Sequence, residues 1–235
     1  MEHSSTLDDE MDCRRCRLSA ERRRVVVPDG ALFGVMAVGE APGADEDEQG
    51  VGFVGAAGRN LDAAFEKALA EEERSDAGDQ RPAATRYRYA RANVVRCRPP
   101  DNRKPRADEV AACAPWLDQA IEEHAPRVLL AVGRSASERL VGKHSEPFLQ
   151  HVQTDAWIVD SARESGCEPQ GVWSYRGVAV LSMPHTSPLA WNRRYTNALG
   201  ESTPIRELGE GMVRRAVWLA REGLKARHGE RLRER

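Results

Sequence analysis

Four short runs rich in Val, Leu and Ala constrain this chain more than any other feature: Val35–Val38, Asn93–Val95, Val128–Val132 and Val178–Leu181. Each is too short for a core helix and lacks the alternation of a strand with one wet face. Such runs read as strands buried on both faces, the pattern of a parallel sheet. Helical periodicities fall between them. Residues 57–72 place Leu61, Ala64, Phe65, Ala68 and Leu69 on one face. Residues 107–124 open with Asp108 and Glu109, which suit a helix N-terminus, and then space Val110, Cys113, Leu117 and Ile121 along a stripe. Residues 134–141 predict a short helix and 207–228 a long Arg-rich one. Strand alternating with helix predicts an α/β fold with a central, mostly parallel four-stranded sheet covered on both faces. Ligands of such sheets gather at the carboxyl ends of the strands.

The stretches 71–91 and 143–172 carry polar, Gly/Pro-punctuated sequence without clear period and read as insertions in a single domain spanning 1–235. The longest aliphatic run, Val128–Val132, has five residues, far below the roughly 20 that span a bilayer. The N-terminus MEHSSTLDDEMD is polar and acidic, which predicts a cytoplasmic protein with no membrane partner. Thirty-five Lys and Arg against 37 Asp and Glu leave a net charge of −2, so overall charge does not announce nucleic acid.

Cys13-Arg14-Arg15-Cys16 forms a C-x2-C pair, and Cys97 and Cys113 stand apart from it. In a reducing compartment these are candidates for metal ligation rather than disulfides. Cys113 could equally be a small core residue on its helix. Cys97 ends a strand before the rigid Arg98-Pro99-Pro100 turn, where a thiolate can face outward. Four thiolates suit a tetrahedral zinc or a [4Fe–4S] cluster, and spacing does not choose between them. Cys167 has no such company and reads as a bystander.

Gly50-Val51-Gly52-Phe53-Val54-Gly55 matches G-x-G-x-x-G, but Asp45 to Glu48 precede it where a strand should be. Four acids would repel a pyrophosphate, so no nucleotide cofactor is expected. The stretch reads instead as a strand-end loop that presents Phe53 to a flat ligand. Asn93 offers a donor and an acceptor, the chemistry that reads a pyrimidine edge, although pairing with backbone would also satisfy it. His185 follows the fourth strand in Met183-Pro184-His185-Thr186-Ser187-Pro188-Leu189, trailed by Arg193 and Arg194. A proline-stiffened loop with an apolar tip and a basic flank suits insertion into a duplex.

These motifs together, GEAPG with its acidic run, GFVGAAGRNL, NVVRCRPPDNRKPR and VLLAVGRSA, resemble the family-4 uracil-DNA glycosylases, the iron–sulfur branch, over roughly residues 13–200. The resemblance implies a three-layer α/β/α sandwich and a [4Fe–4S] cluster on Cys13, Cys16, Cys97 and Cys113. It implies a uracil pocket of Gly39, Glu40, Ala41, Glu46, Phe53, Asn93 and His185, acting as a monomer on uracil-containing DNA. In that picture His185 stabilises the departing uracil anion, Glu40 or Glu46 positions the attacking water, Leu189 fills the gap left by the flipped base, and Arg193 and Arg194 hold phosphates. Arg96, Arg98, Arg103, Lys104 and Arg106 form a second expected phosphate-binding patch. One departure stands out: His185 is followed by Thr-Ser-Pro-Leu, closer to the family-1 His-Pro-Ser-Pro-Leu loop. The alternatives are a non-catalytic binder of uracil or damaged DNA that keeps the fold and cluster, and a zinc-stapled nucleotide binder.

Overall fold

The computed structural model describes residues 9–32, 34–73, 88–197 and 199–223. Its elements run β1 (Asp29–Gly30), β2 (Val35–Gly39), α1 (Ala44–Gln49), α2 (Ala56–Glu73), β3 (Ala90–Asn93), α3 (Ala107–His124), β4 (Val128–Val132), α4 (Arg134–Val141), α5 (Phe148–Ser165), β5 (Trp173–Tyr175), β6 (Val178–Met183), α6 (Pro188–Trp191), β7 (Arg194–Thr196), β8 (Ser202–Pro204) and α7 (Ile205–Trp218). The central sheet has the order β1-β3-β2-β4-β6-β5. β3, β2, β4 and β6 are parallel, and β1 and β5 are antiparallel edges.

The sheet therefore has six strands where the sequence predicts four. The two edge strands are two and three residues long, too short to show any period, and only pairing with β3 and β6 defines them. The strand expected at Asn93–Val95 instead runs Ala90–Asn93, so Val94 and Val95 lie past its end, with Arg91 buried within it and Tyr89 just before it.

β2 and β4 are buried along their whole length, as strands covered on both faces must be. Successive residues serve opposite layers. Val35, Ala37, Leu130 and Val132 pack under α2, α5 and α7 against Phe65, Val159 and Val213. Met36, Val38, Leu129 and Ala131 pack under α3 and α4 against Leu117, Ile121 and Leu140. These are the three layers of an α/β/α sandwich.

The 143–172 stretch is not a loop. Its centre is the 18-residue helix α5, which buries Phe148, Val152, Ala156 and Val159. The spacing i, i+4, i+8, i+11 was visible in the sequence, but His151 and Asp155 on the same buried face masked it. Most of the 71–91 excursion and the end of the 207–228 helix lie outside the described residues. Of that terminal helix, Ile205–Trp218 is α-helical and Leu219–Gly223 continues as a π-turn.

Candidate active site

β2 is flanked by β3 on one side and β4 on the other, so the sheet's switch point lies at its carboxyl end. A cavity of about 400 Å³ opens there, lined by Gly39, Glu40, Phe53, Asn93, Val132 and His185 among others. The ends of β2, β3 and β4 contribute, together with the loop after β6. A larger cavity of about 520 Å³ lies at the opposite side of the sheet, beside the amino ends of β4 and β6.

Gly39 makes the convergence possible. A Cβ there would lie 2.5 Å from Asn93 Oδ1 and 2.8 Å from Phe53 Cζ. Any side chain would push apart the amide and the ring that wall the pocket. Phe53 is 9% exposed and belongs to the core at the pocket wall, so it is less open than a stacking platform flanked by glycines suggested. Its φ of 56° is left-handed, a strained setting held by its surroundings and worth roughly 1–3 kcal/mol. Gly58 lets α2 approach: a Cβ there would fall 1.8 Å from the Phe53 carbonyl oxygen.

The two glutamates separate. Glu40 lines the cavity. Glu46 also borders it, but its carboxylate accepts the N–H of Gly43 at 3.0 Å and of Gly55 at 2.7 Å. Glu46 thus clamps the glycine loop. The Gly55 N–H that a pyrophosphate would need is already occupied by it.

His185 leaves β6 two residues past its end. Its Nδ1 accepts the Ser187 N–H at 3.1 Å, which leaves the neutral ring with its proton on Nε2. The residue stays exposed, but packing around its ring lowers its pKa, partly opposed by the charge of Glu40. The ring is therefore a neutral donor at physiological pH. Thr186 explains the departure in this loop. It is fully buried, its hydroxyl donates to Ala57 O at 2.8 Å, and its own carbonyl accepts Asn60 Nδ2 at 2.8 Å. A proline at this position could not make the first bond, which ties the loop to the start of α2.

Behind the loop lies a buried polar group that the sequence reading missed. Asp155 accepts the Ser182 N–H at 2.8 Å, His151 Nε2 lies 3.1 Å from Ser182 Oγ, and Ser182 Oγ lies 2.7 Å from Ser137 Oγ. Burial pushes the Asp155 carboxyl up to about 7, against the lowering effect of its bonds to Ser182. Asn102, another missed residue, lines the cavity with φ of 54°. Its PPDN setting was the available signal.

Leu189 is 72% exposed on α6, whose Trp191 is buried as its anchor. Arg193 is exposed. Arg194 is exposed too, but its guanidinium bonds the Ser202 hydroxyl at 2.9 Å and carbonyl at 2.6 Å within the β7–β8 hairpin. The expected second basic patch is only partly free: Lys104 and Arg106 are exposed, and the others have partners. Arg96 is buried and paired with Glu10, Arg103 forks onto Glu109 at 2.6 and 2.8 Å, Arg98 bonds Asn102, and Lys104 lies 3.7 Å from Glu138. Of this clustered positive charge, that of Arg96 and Arg103 is neutralised by carboxylates brought in from the N-terminus and α3.

On the α3 side, Cys13, Cys16, Cys97 and Cys113 line one small pocket. Three of the sulfurs meet N–H groups: Trp116 Nε1 at 3.3 Å from Cys13, Arg96 N at 3.3 Å from Cys113, and an Arg22 guanidinium nitrogen at 3.5 Å from Cys97. Burial pushes the free Cys97 thiol up to about 12 and that of Cys113 to about 11. Both would give up protons only to a bound cation, and the surrounding donors suit the thiolates so formed. Cys167 is exposed and apart.

The profile of the uracil DNA glycosylase superfamily matches residues 31–208, and the chain belongs to that superfamily. Its branch follows from the relatives. A type-4 uracil-DNA glycosylase of Sulfurisphaera tokodaii is 31% identical over 207 residues, covering 86% of this chain and 82% of the relative. Those of Pyrobaculum aerophilum and Archaeoglobus fulgidus are each 36% identical, over 177 and 175 residues, covering 74% of this chain and 81% and 80% of theirs.

Proposed function

We propose that this chain removes uracil from DNA by hydrolysing its N-glycosidic bond after flipping the nucleotide into the 400 Å³ cavity. The observation that carries the reading is the convergence of Asn93, Phe53, Glu40 and a neutral His185 on that one cavity. The Asn93 amide donates to uracil O4 and accepts from N3–H. Cytosine reverses both groups, and each mispaired buried polar atom costs about 1–3 kcal/mol. Phe53 covers the ring, together with Gly39 and Ala41 at the strand end.

As the bond breaks, negative charge grows on the uracil ring. His185 Nε2–H donates to O2, an interaction stronger in the transition state than in the ground state. With Glu46 committed to the glycine loop, Glu40 is the carboxylate that positions the attacking water. Residue 41 is Ala, so no aspartate assists, and electrostatic stabilisation outweighs base catalysis. Leu189 enters the stack behind the flipped base, and Arg193, with Arg194 beside it, meets the backbone phosphates.

Cys13, Cys16, Cys97 and Cys113 would hold a [4Fe–4S] cluster. Among the described residues no three Cys, His, Asp or Glu groups converge tightly enough for a single metal ion. Four thiols lining one small pocket fit a group that takes one ligand from each, as such a cluster does. Bound there, it supplies a cross-link between the N-terminal segment, the end of β3 and α3. One chain completes the pocket, consistent with a monomer, and five unpaired cysteines suit a reducing cytoplasm. Among the described residues no helix is long and apolar enough to cross a membrane.

The deciding experiment incubates the brown, iron-containing protein with a uracil-containing oligonucleotide. Release of free uracil and an abasic strand is expected. Tight binding without release would instead identify a non-catalytic damage binder.

A further inference from the structure

Arg96 is 1% exposed, and every polar group it owns has a partner. Nε donates to Glu10 Oε1 at 2.5 Å, one terminal nitrogen to the Asn93 carbonyl at 2.7 Å, and the other to the Trp116 carbonyl at 2.8 Å. Its backbone N–H donates to Cys113 Sγ at 3.3 Å, and its carbonyl accepts the Val26 N–H at 2.9 Å. The acceptors come from the N-terminal segment, the end of β3 and the middle of α3.

A buried ion pair is poor evidence for stability, because apolar replacements of equal volume often serve as well or better. Its retention here calls for a geometric reason, and the three-way fork supplies one. Val94 and Val95 N–H groups donate to Gly39 O and Glu40 O, so the chain beyond Asn93 follows β2 into the pocket wall. The Asn93 carbonyl is held on this path by Arg96. A planar guanidinium fixes three diverging acceptors at once, which a single ammonium cannot do.

We propose that Arg96 is a positioning residue for Asn93: its guanidinium sets the end of β3 from which the base-reading amide projects, and its backbone ties that end to the four-thiol pocket. The inference rests on Asn93 reading the uracil edge. It makes the thiol site and the specificity pocket one mechanical unit, joined through a single side chain. Displacing a positioned group by 1 Å from a remote site can cost about 10²-fold in rate.

The test is a double-mutant cycle with Arg96→Lys, Asn93→Ala and the pair, read on single-turnover uracil release and on affinity for a uracil-containing oligonucleotide. Arg96→Lys keeps a positive charge beside Glu10 but loses the fork. Alone it should lower both readouts about tenfold, a coupling within the range for residues in contact, with absorbance near 400 nm retained. In the Asn93→Ala background the same change should cost less than about twofold. A merely structural Arg96 would lower the melting temperature and give additive losses, which overturns the proposal. If Arg96→Lys does not fold, Glu10→Ala, which removes the acceptor of Nε and leaves the two carbonyl contacts, is run through the same cycle with the same criterion. A chain that binds uracil DNA without releasing uracil fails the catalytic reading only, and the affinity arm still decides Arg96. A chain with no preference for uracil removes both.

Discussion

The two ends of the pocket are held by opposite kinds of force. At the Asn93 end the scaffold is ionic. Arg96 is buried on Glu10, Arg103 is forked onto a fully buried Glu109, and four cysteines stand behind them. At the His185 end it is mostly neutral hydrogen bonding: Thr186 to Ala57, Asn60 to Thr186, Ser187 to His185, and the Ser182–Ser137 pair. Removing one partner of a buried ion pair costs about 3–5 kcal/mol, because the other charge is stranded. Removing a neutral hydrogen bond costs about 0.5–1.5 kcal/mol. In the proposed mechanism, the end that reads the base is thus the more firmly fixed, and the end that handles charge in the transition state is the more weakly tethered. The segment that carries His185 also carries the exposed Leu189, the residue proposed to enter the DNA stack.

The largest expected effect separates binding from chemistry. His185→Ala should cut single-turnover cleavage by roughly 10²–10³, the scale of losing one preorganised donor, with much less loss of affinity for uracil DNA. Asn93→Ala should lower affinity and cleavage together. Parallel losses in both variants would erase the distinction between the two ends and leave His185 as a loop brace.

Next comes pH, where the two ends should respond with opposite sign. Hydrogen bonds from Arg103 and from the Arg106 backbone hold Glu109 at about 2, below its ordinary 4.5. Its contribution is present above pH 4.5 and is lost as pH falls toward 2. Asp155 is raised from 3.8 to about 7, so its contribution is present below pH 3.8 and is lost as pH rises through 7. Asp155→Asn, which can still accept the Ser182 N–H, should therefore raise the melting temperature at pH 8 relative to the parent and give no gain at pH 4. Melting curves at the two pH values check this, and an equal shift at both would show that Asp155 is not the titrating group.

The smallest expected effect tests the loop's tether. Thr186→Val keeps the shape and deletes only the bond to Ala57. It should cost about 1 kcal/mol of stability in chemical denaturation and leave the rate within about threefold. A loss on the scale of His185→Ala would place Thr186 in the machinery itself.

Much of this was legible in the sequence. The runs at Val35, Val128 and Val178 could only be buried strands, because alternation was absent and no run was long enough for a helix. The helices at 107–124 and 134–141 fall at their expected residues, since amphipathic period and flanking Gly and Pro are local signals. The strand-end residues Gly39, Asn93 and His185 were identifiable because a parallel sheet sends its chemistry to one edge, and the cavity is lined by all three. What the sequence could not decide was partnership. Arg96 and Arg103 look like phosphate ligands until Glu10 and Glu109 are brought beside them across 86 and six residues. Glu46 looks catalytic until both oxygens are spent on backbone amides. The edge strands exist only through their neighbours, and α5 was obscured by the same buried His151 and Asp155 that bond to Ser182 in β6. Local pattern determines which elements form, because propensity and burial period are properties of adjacent residues. The charge a side chain presents depends on what the fold packs against it, and only the tertiary structure decided that.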